Sequence, residues 1–92
     1  MYFALFYDYV PDVLERRKPH RDGHLALAAE LNRKGTLLFA GAFDPPNGAL
    51  FVFQGTQADV EEFVRRDPYV KNGVVTGHRI LPWHVAVGGA QP

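Results

Sequence analysis

The residues whose types and spacing suit chemistry stand together in Arg17-Lys18-Pro19-His20-Arg21-Asp22-Gly23-His24-Leu25. With a helix from about Pro19 to Lys34, advancing ~100° per residue, His24, Leu27, Ala28 and Leu31 share one face, which must point at the core. One turn earlier the same face carries His20 and Arg21, so an apolar stripe turns polar and cationic at its start. An imidazole there can move a proton near neutral pH, and a guanidinium can grip a carboxylate in a planar fork. A His on an apolar face is also often a satisfied core residue, and from this stretch alone both readings stand.

The elements that must position this stretch follow from the flanking pattern. Tyr2 to Tyr9 is apolar on both alternating sets, which predicts a strand covered on both faces. Val10 to Pro19 is a connection bounded by Pro11 and Pro19, with a short turn near Leu14. The first helix ends at Gly35, after the basic last turn Arg33-Lys34. Thr36 to Ala42 reads as a second strand, Asp44-Pro45-Pro46-Asn47-Gly48 as a hairpin loop and Ala49 to Gln54 as a third strand. Thr56 caps a second helix, about Gln57 to Arg66, with Val60, Phe63 and Val64 on its buried stripe, and Asp67-Pro68-Tyr69 stops it. Val74 to Val87 reads as a long last strand in which Pro82 implies an edge or a bulge. Gly88 to Pro92 reads as a tail.

Composition narrows the classes. The 92 residues allow one domain, 1–92, and a chain of this size buries roughly 60–65% of its unfolded surface. A hydrophobic content of 47% excludes disorder, and ten basic residues balance ten acidic ones, which offers no electrostatic pull toward nucleic acid or an anionic membrane. There is no cysteine, hence no disulfide or thiolate chemistry. The apolar start is too short for a membrane span and lacks a basic opening, so a soluble, cytoplasmic protein is expected.

The order strand, helix, strand, strand, helix, strand is that of the ferredoxin-like split βαβ fold, an α+β class with an antiparallel sheet. Its two helices cover one sheet face. These strands are apolar on both faces, so the economical expectation is a homodimer packed sheet to sheet.

The chain resembles the YciI-like (YCII-related) proteins. The resemblance rests on the aromatic first strand, on Leu14-Glu15-Arg16-Arg17 followed by Arg21-Asp22-Gly23-His24-Leu25, on Gly35-Thr36-Leu37-Leu38-Phe39-Ala40-Gly41, and on Asp67-Pro68-Tyr69 before Gly73-Val74. It spans nearly the whole chain and implies a dimeric α+β barrel type of fold. It also implies a His-Asp pair, falling on His24 and Asp67, with Arg17 and Arg21 as anion binders. Tyr7, Gly41 and Tyr69 complete the expected ligand contacts, although Tyr7 and Tyr69 also fit a core role. Some members and fold relatives act on small ring-cleavage or chlorinated aromatic intermediates. The loop after Gly41, Ala42 to Asn47, is shorter than in some of them.

Such a pair makes chemical sense. A carboxylate that accepts from one ring nitrogen fixes the tautomer and favours the imidazolium, while the other nitrogen moves a proton. An Asp before Pro also commonly ends a helix and accepts backbone N–H bonds, which is the competing reading of Asp67. The expected function is therefore proton transfer, as isomerisation or elimination of the dehydrochlorination type, on a small anionic organic molecule. No cofactor or metal is called for. The alternative is a dimeric ligand-binding or regulatory domain without turnover. Two other readings are weaker. Phe51, Phe53 and Tyr7 imitate base-stacking aromatics of an RNA-recognition fold, but the third strand lacks the basic opening residue of that pattern. His20 and His24 are spaced as in a zinc helix, but a third ligand would have to come from His78, His84 or a distant acid.

Overall fold

The first strand, β1 (Tyr2–Tyr9), splits its apolar run between two faces because successive side chains alternate. Phe3, Leu5 and Tyr7 enter the main core, while Ala4 and Phe6 line the opposite side of the sheet. The computed structural model describes residues 1–88 of the chain. After β1 come α1 (Val13–Arg16), a 3-10 turn (Lys18–His20), α2 (Arg21–Arg33), β2 (Leu37–Ala42), β3 (Gly48–Gln54), α3 (Gln57–Arg66), α4 (Pro68–Lys71) and β4 (Val75–Trp83). The strands form one antiparallel sheet in the order β2-β3-β1-β4, which is the split α+β topology expected from the element order.

The helices are held by their apolar stripes. Leu27, Ala28 and Leu31 of α2 and Val60, Phe63 and Val64 of α3 pack with Phe3, Leu5, Phe51 and Phe53 of the sheet. Full burial of a ring such as Phe63 stabilises the fold by roughly 1.5–3 kcal/mol. Thr56 and Asp59 form a reciprocal capping box: Thr56 Oγ1 accepts the Asp59 N–H at 3.2 Å, and Asp59 Oδ2 accepts the Thr56 N–H at 3.0 Å. After α2 the chain turns at Gly35, whose φ of 81° lies in the left-handed region that glycine adopts freely.

Three boundaries differ from the sequence-based expectation. The helix expected from Pro19 begins as a 3-10 turn, and His20, with φ of -113° and ψ of -4°, departs from α geometry, so the α-helix starts at Arg21. Asp67-Pro68-Tyr69 ends α3 but also opens α4, with Asp67 capping both. The last strand stops at Trp83, since Trp83 pairs with Tyr2 and β1 offers no residues beyond it; Pro82 lies on this edge strand. Of the expected tail from Gly88 to Pro92, residues 89–92 lie outside the described residues.

The sheet face turned away from the core carries Ala4, Phe6, Leu50, Leu81 and Trp83, with Phe39 on β2 at 72% exposure. Among the described residues no helix is long and apolar enough to cross a membrane.

Candidate active site

Three elements converge beneath one end of α2. The helix presents His24 on its buried stripe. The α3–α4 junction presents Asp67, and β1 brings Tyr7 up from the sheet. Close approach of α2 to α4 depends on Gly23, where a Cβ would stand 3.1 Å from Pro68 Cγ. His24 and Asp67 are the buried polar residues of the described chain, at 6% and 0% exposure.

Asp67 accepts from three donors. His24 Nδ1 lies 2.8 Å from Oδ1. The Tyr69 N–H also donates to Oδ1, at 3.0 Å, which is the cap on α4. Tyr7 Oη donates to Oδ2 at 2.7 Å. A carboxylate only accepts, so the Nδ1 of His24 carries the proton and Nε2 is the nitrogen left for other partners. Burial, then the charge of Asp67 and the bond to it, push the Tyr7 pKa well above the ordinary tyrosine value, which keeps Tyr7 a donor. The imidazole cannot swing. Tyr69 stacks on it with centroids 3.8 Å apart and planes at 3°, and Phe51 and Phe63 meet it edge-on at 5.9 and 6.3 Å.

In front of His24 lies a cleft of about 350 Å³. The turn before α2 and its first residues supply Arg17 and Arg21, Tyr69 closes one end, and small residues of β2 and β3, namely Ala40, Ala42 and Ala49, make the floor. Of the expected site residues, Arg17, Arg21, His24, Gly41 and Tyr69 line this cleft. Gly41 does so through its backbone, since it pairs with Leu50 on the register that faces away from the core. Asp67 sits behind His24. Tyr7 is a correction: it is 1% exposed, does not line the cleft, and gives its hydroxyl to Asp67. It lies there because β1 is a central strand whose core-facing side chains are roofed by the helices.

Tyr9 lines the cleft and was not among the expected residues. The period of two along β1 was the available signal, as Tyr9 follows Tyr7 on the same face and touches both Tyr7 and Tyr69 edge-on. Burial raises its pKa, with the Tyr69 and Asp67 charges adding and Arg17 and Arg21 opposing. Phe51, Phe53 and Tyr7, the rings of the RNA reading, are buried on the helix side, where no base can stack. Among the described residues no three His, Cys, Asp or Glu side chains are grouped to hold a metal.

Comparison with known proteins gives three likenesses. The model of the YCII-related domain matches residues 1–84. An uncharacterized protein of Haemophilus influenzae is 30% identical over 94 residues, spanning 90% of this chain and 96% of its own length. A solved structure of 5-chloro-2-hydroxyhydroquinone dehydrochlorinase from Burkholderia phenoliruptrix, in complex with 2,5-dihydroxybenzoquinone, is similar in fold. Its TM-score is 0.77 at 22% identity, over 91% of this chain and 94% of that one.

Proposed function

The chain belongs to the YCII-related domain family, and we propose that it is a one-domain, cytoplasmic enzyme of small-molecule proton transfer, acting by isomerisation or elimination on a small organic anion. The observation that carries this reading is the buried His24–Asp67 pair at a cleft that also holds two guanidiniums. In it, Nε2 of His24 is the general base, Asp67 holds Nδ1–H and so the ring's orientation, and Arg17 and Arg21 hold the substrate's charge.

The chemistry balances without a co-reactant. In an elimination, Nε2 takes a proton from the substrate, the electron pair of that bond forms the new π bond, and chloride leaves with the pair of the carbon–chlorine bond. In an isomerisation, the same nitrogen returns the proton to a different carbon. The charge that appears on the ring faces the Asp67 carboxylate, 2.8 Å away. A positioned acid–base group of this kind contributes ~10²–10⁴-fold. The fold likeness to a dehydrochlorinase supports the elimination branch.

The reading includes a homodimer closed through the apolar sheet face, supported by the exposed Phe39, Leu81 and Trp83. The test of the function is a panel of carboxylated lactones and chlorinated hydroxyquinols, followed by absorbance and by chloride release. Turnover of a panel member supports the proposal. Binding without turnover across the panel favours the non-catalytic alternative.

A further inference from the structure

Two guanidiniums and a phenol meet at the cleft with no carboxylate to receive their hydrogens. Arg17 and Arg21 line it, and neither pairs with a carboxylate among the described residues. Tyr69 is 2% exposed, and no acceptor meets its buried hydroxyl hydrogen. The charges of both arginines and a hydrogen bond from Arg21 act on that hydroxyl oxygen, opposing the upward push that burial gives its pKa, so the open need is an acceptor for the phenolic hydrogen. A guanidinium has donors only, so it cannot receive the phenolic proton. Asp67 does not receive it either: its contacts are His24, Tyr7 and the Tyr69 N–H. Buried polar groups in native proteins are almost always satisfied, and one left open beside two unpaired cations marks a place that an anion completes.

We infer that the Tyr69 hydroxyl is the third donor of an anion receptor formed with Arg17 and Arg21, and that the ligand is a compact acid with an apolar body. This rests on the proposed reading of the cleft and deepens it. The apolar body follows from the floor of Ala40, Ala42 and Ala49 and the Phe51 ring. Compactness follows from the roughly 350 Å³ available, which is near the lower end for ligand sites and holds one substituted ring. Because Tyr69 is stacked on the imidazole, an anion held at its hydroxyl has a fixed offset from Nε2. The receptor thus sets which part of the substrate meets the base.

The experiment is calorimetric titration with benzoate and with its uncharged analogue benzamide, on the wild type and on Tyr69→Phe, together with melts of both free proteins. The wild type binds benzoate and not benzamide. Tyr69→Phe keeps the stacked ring, and its benzoate Kd rises about tenfold or more, the size expected for a lost hydrogen bond to a charge. The free variant melts close to the wild type, because the hydroxyl hydrogen it lacks had no acceptor. Equal benzoate affinity in the two proteins overturns the inference. So does equal binding of benzamide, or an absence of benzoate binding by the wild type at millimolar concentration. Failure here is separable from failure of the proposed function. Turnover that depends on His24, with benzoate affinity unchanged in Tyr69→Phe, sinks this inference alone. A receptor that behaves as described in a protein that turns nothing over sinks only the enzyme.

Discussion

Tyr7 and Tyr69 carry the same side chain to different ends. The hydroxyl of Tyr7 donates to Asp67 Oδ2, whereas no acceptor meets the hydroxyl hydrogen of Tyr69. Tyr7→Phe therefore leaves a buried carboxylate oxygen without its donor, and a loss of about 1.5–3 kcal/mol in urea melts is expected. The pH dependence follows from the same bond. The Tyr7 pKa is raised from the ordinary value of 10.0 by burial and by Asp67, so the folded protein holds that proton more tightly than the unfolded chain does. Its contribution is complete below pH 10 and is lost as pH rises above that value. The alkaline limb of the stability curve should be flatter in Tyr7→Phe than in the wild type, though not flat, because burial raises Tyr9 and Tyr69 as well. At this scale the sequence made part of the site visible. His24 and Arg21 stood out from type and spacing, and Arg17 and Asp67 from family resemblance. The partner of Tyr7 was not, since a bond between residues 60 apart depends on strand register and helix placement together.

Elements decide whether those residues meet. The seam between α2 and α4 is set by Gly23, whose missing side chain admits Pro68 and with it Asp67 and Tyr69. Gly23→Val places methyl groups where Pro68 already stands, and overpacking of this kind costs about 1–3 kcal/mol. The check is the urea midpoint of the variant, and an unchanged midpoint would mean that the seam opens freely. Helix and strand identities were readable because their signals are local. Gly35 ends α2 and Thr56 with Asp59 opens α3. What was not readable depends on partners. α4 is four residues long and exists through the cap that Asp67 provides. The end of β4 is dictated by where β1 begins.

At the scale of the molecule, the sheet has one face under helices and one that carries Phe6, Leu50, Leu81 and Trp83. Arg79 lies over the Phe6 ring at 4.8 Å, a cation–π contact at the side of that patch. Sedimentation at micromolar concentration should give twice the 10.3 kDa chain mass, and Leu81→Glu, which sets a charge in the patch, should return it to the chain mass. A wild-type protein that sediments at the chain mass would contradict the dimer. The two-sided apolar strands foretold this face, while the outward placing of Phe39 was not readable, because it depends on the bulge between Leu37 and Phe39. His24 sits where the chemistry must occur, with Nδ1 engaged by Asp67 and its ring lining the cleft. The measurement that reaches it most directly is kcat of His24→Gln against wild type on whichever panel compound the wild type converts, with folding of the variant checked by circular dichroism. The account predicts a fall of two or more decades in kcat with KM changed little. A folded variant that turns over at the wild-type rate would contradict it.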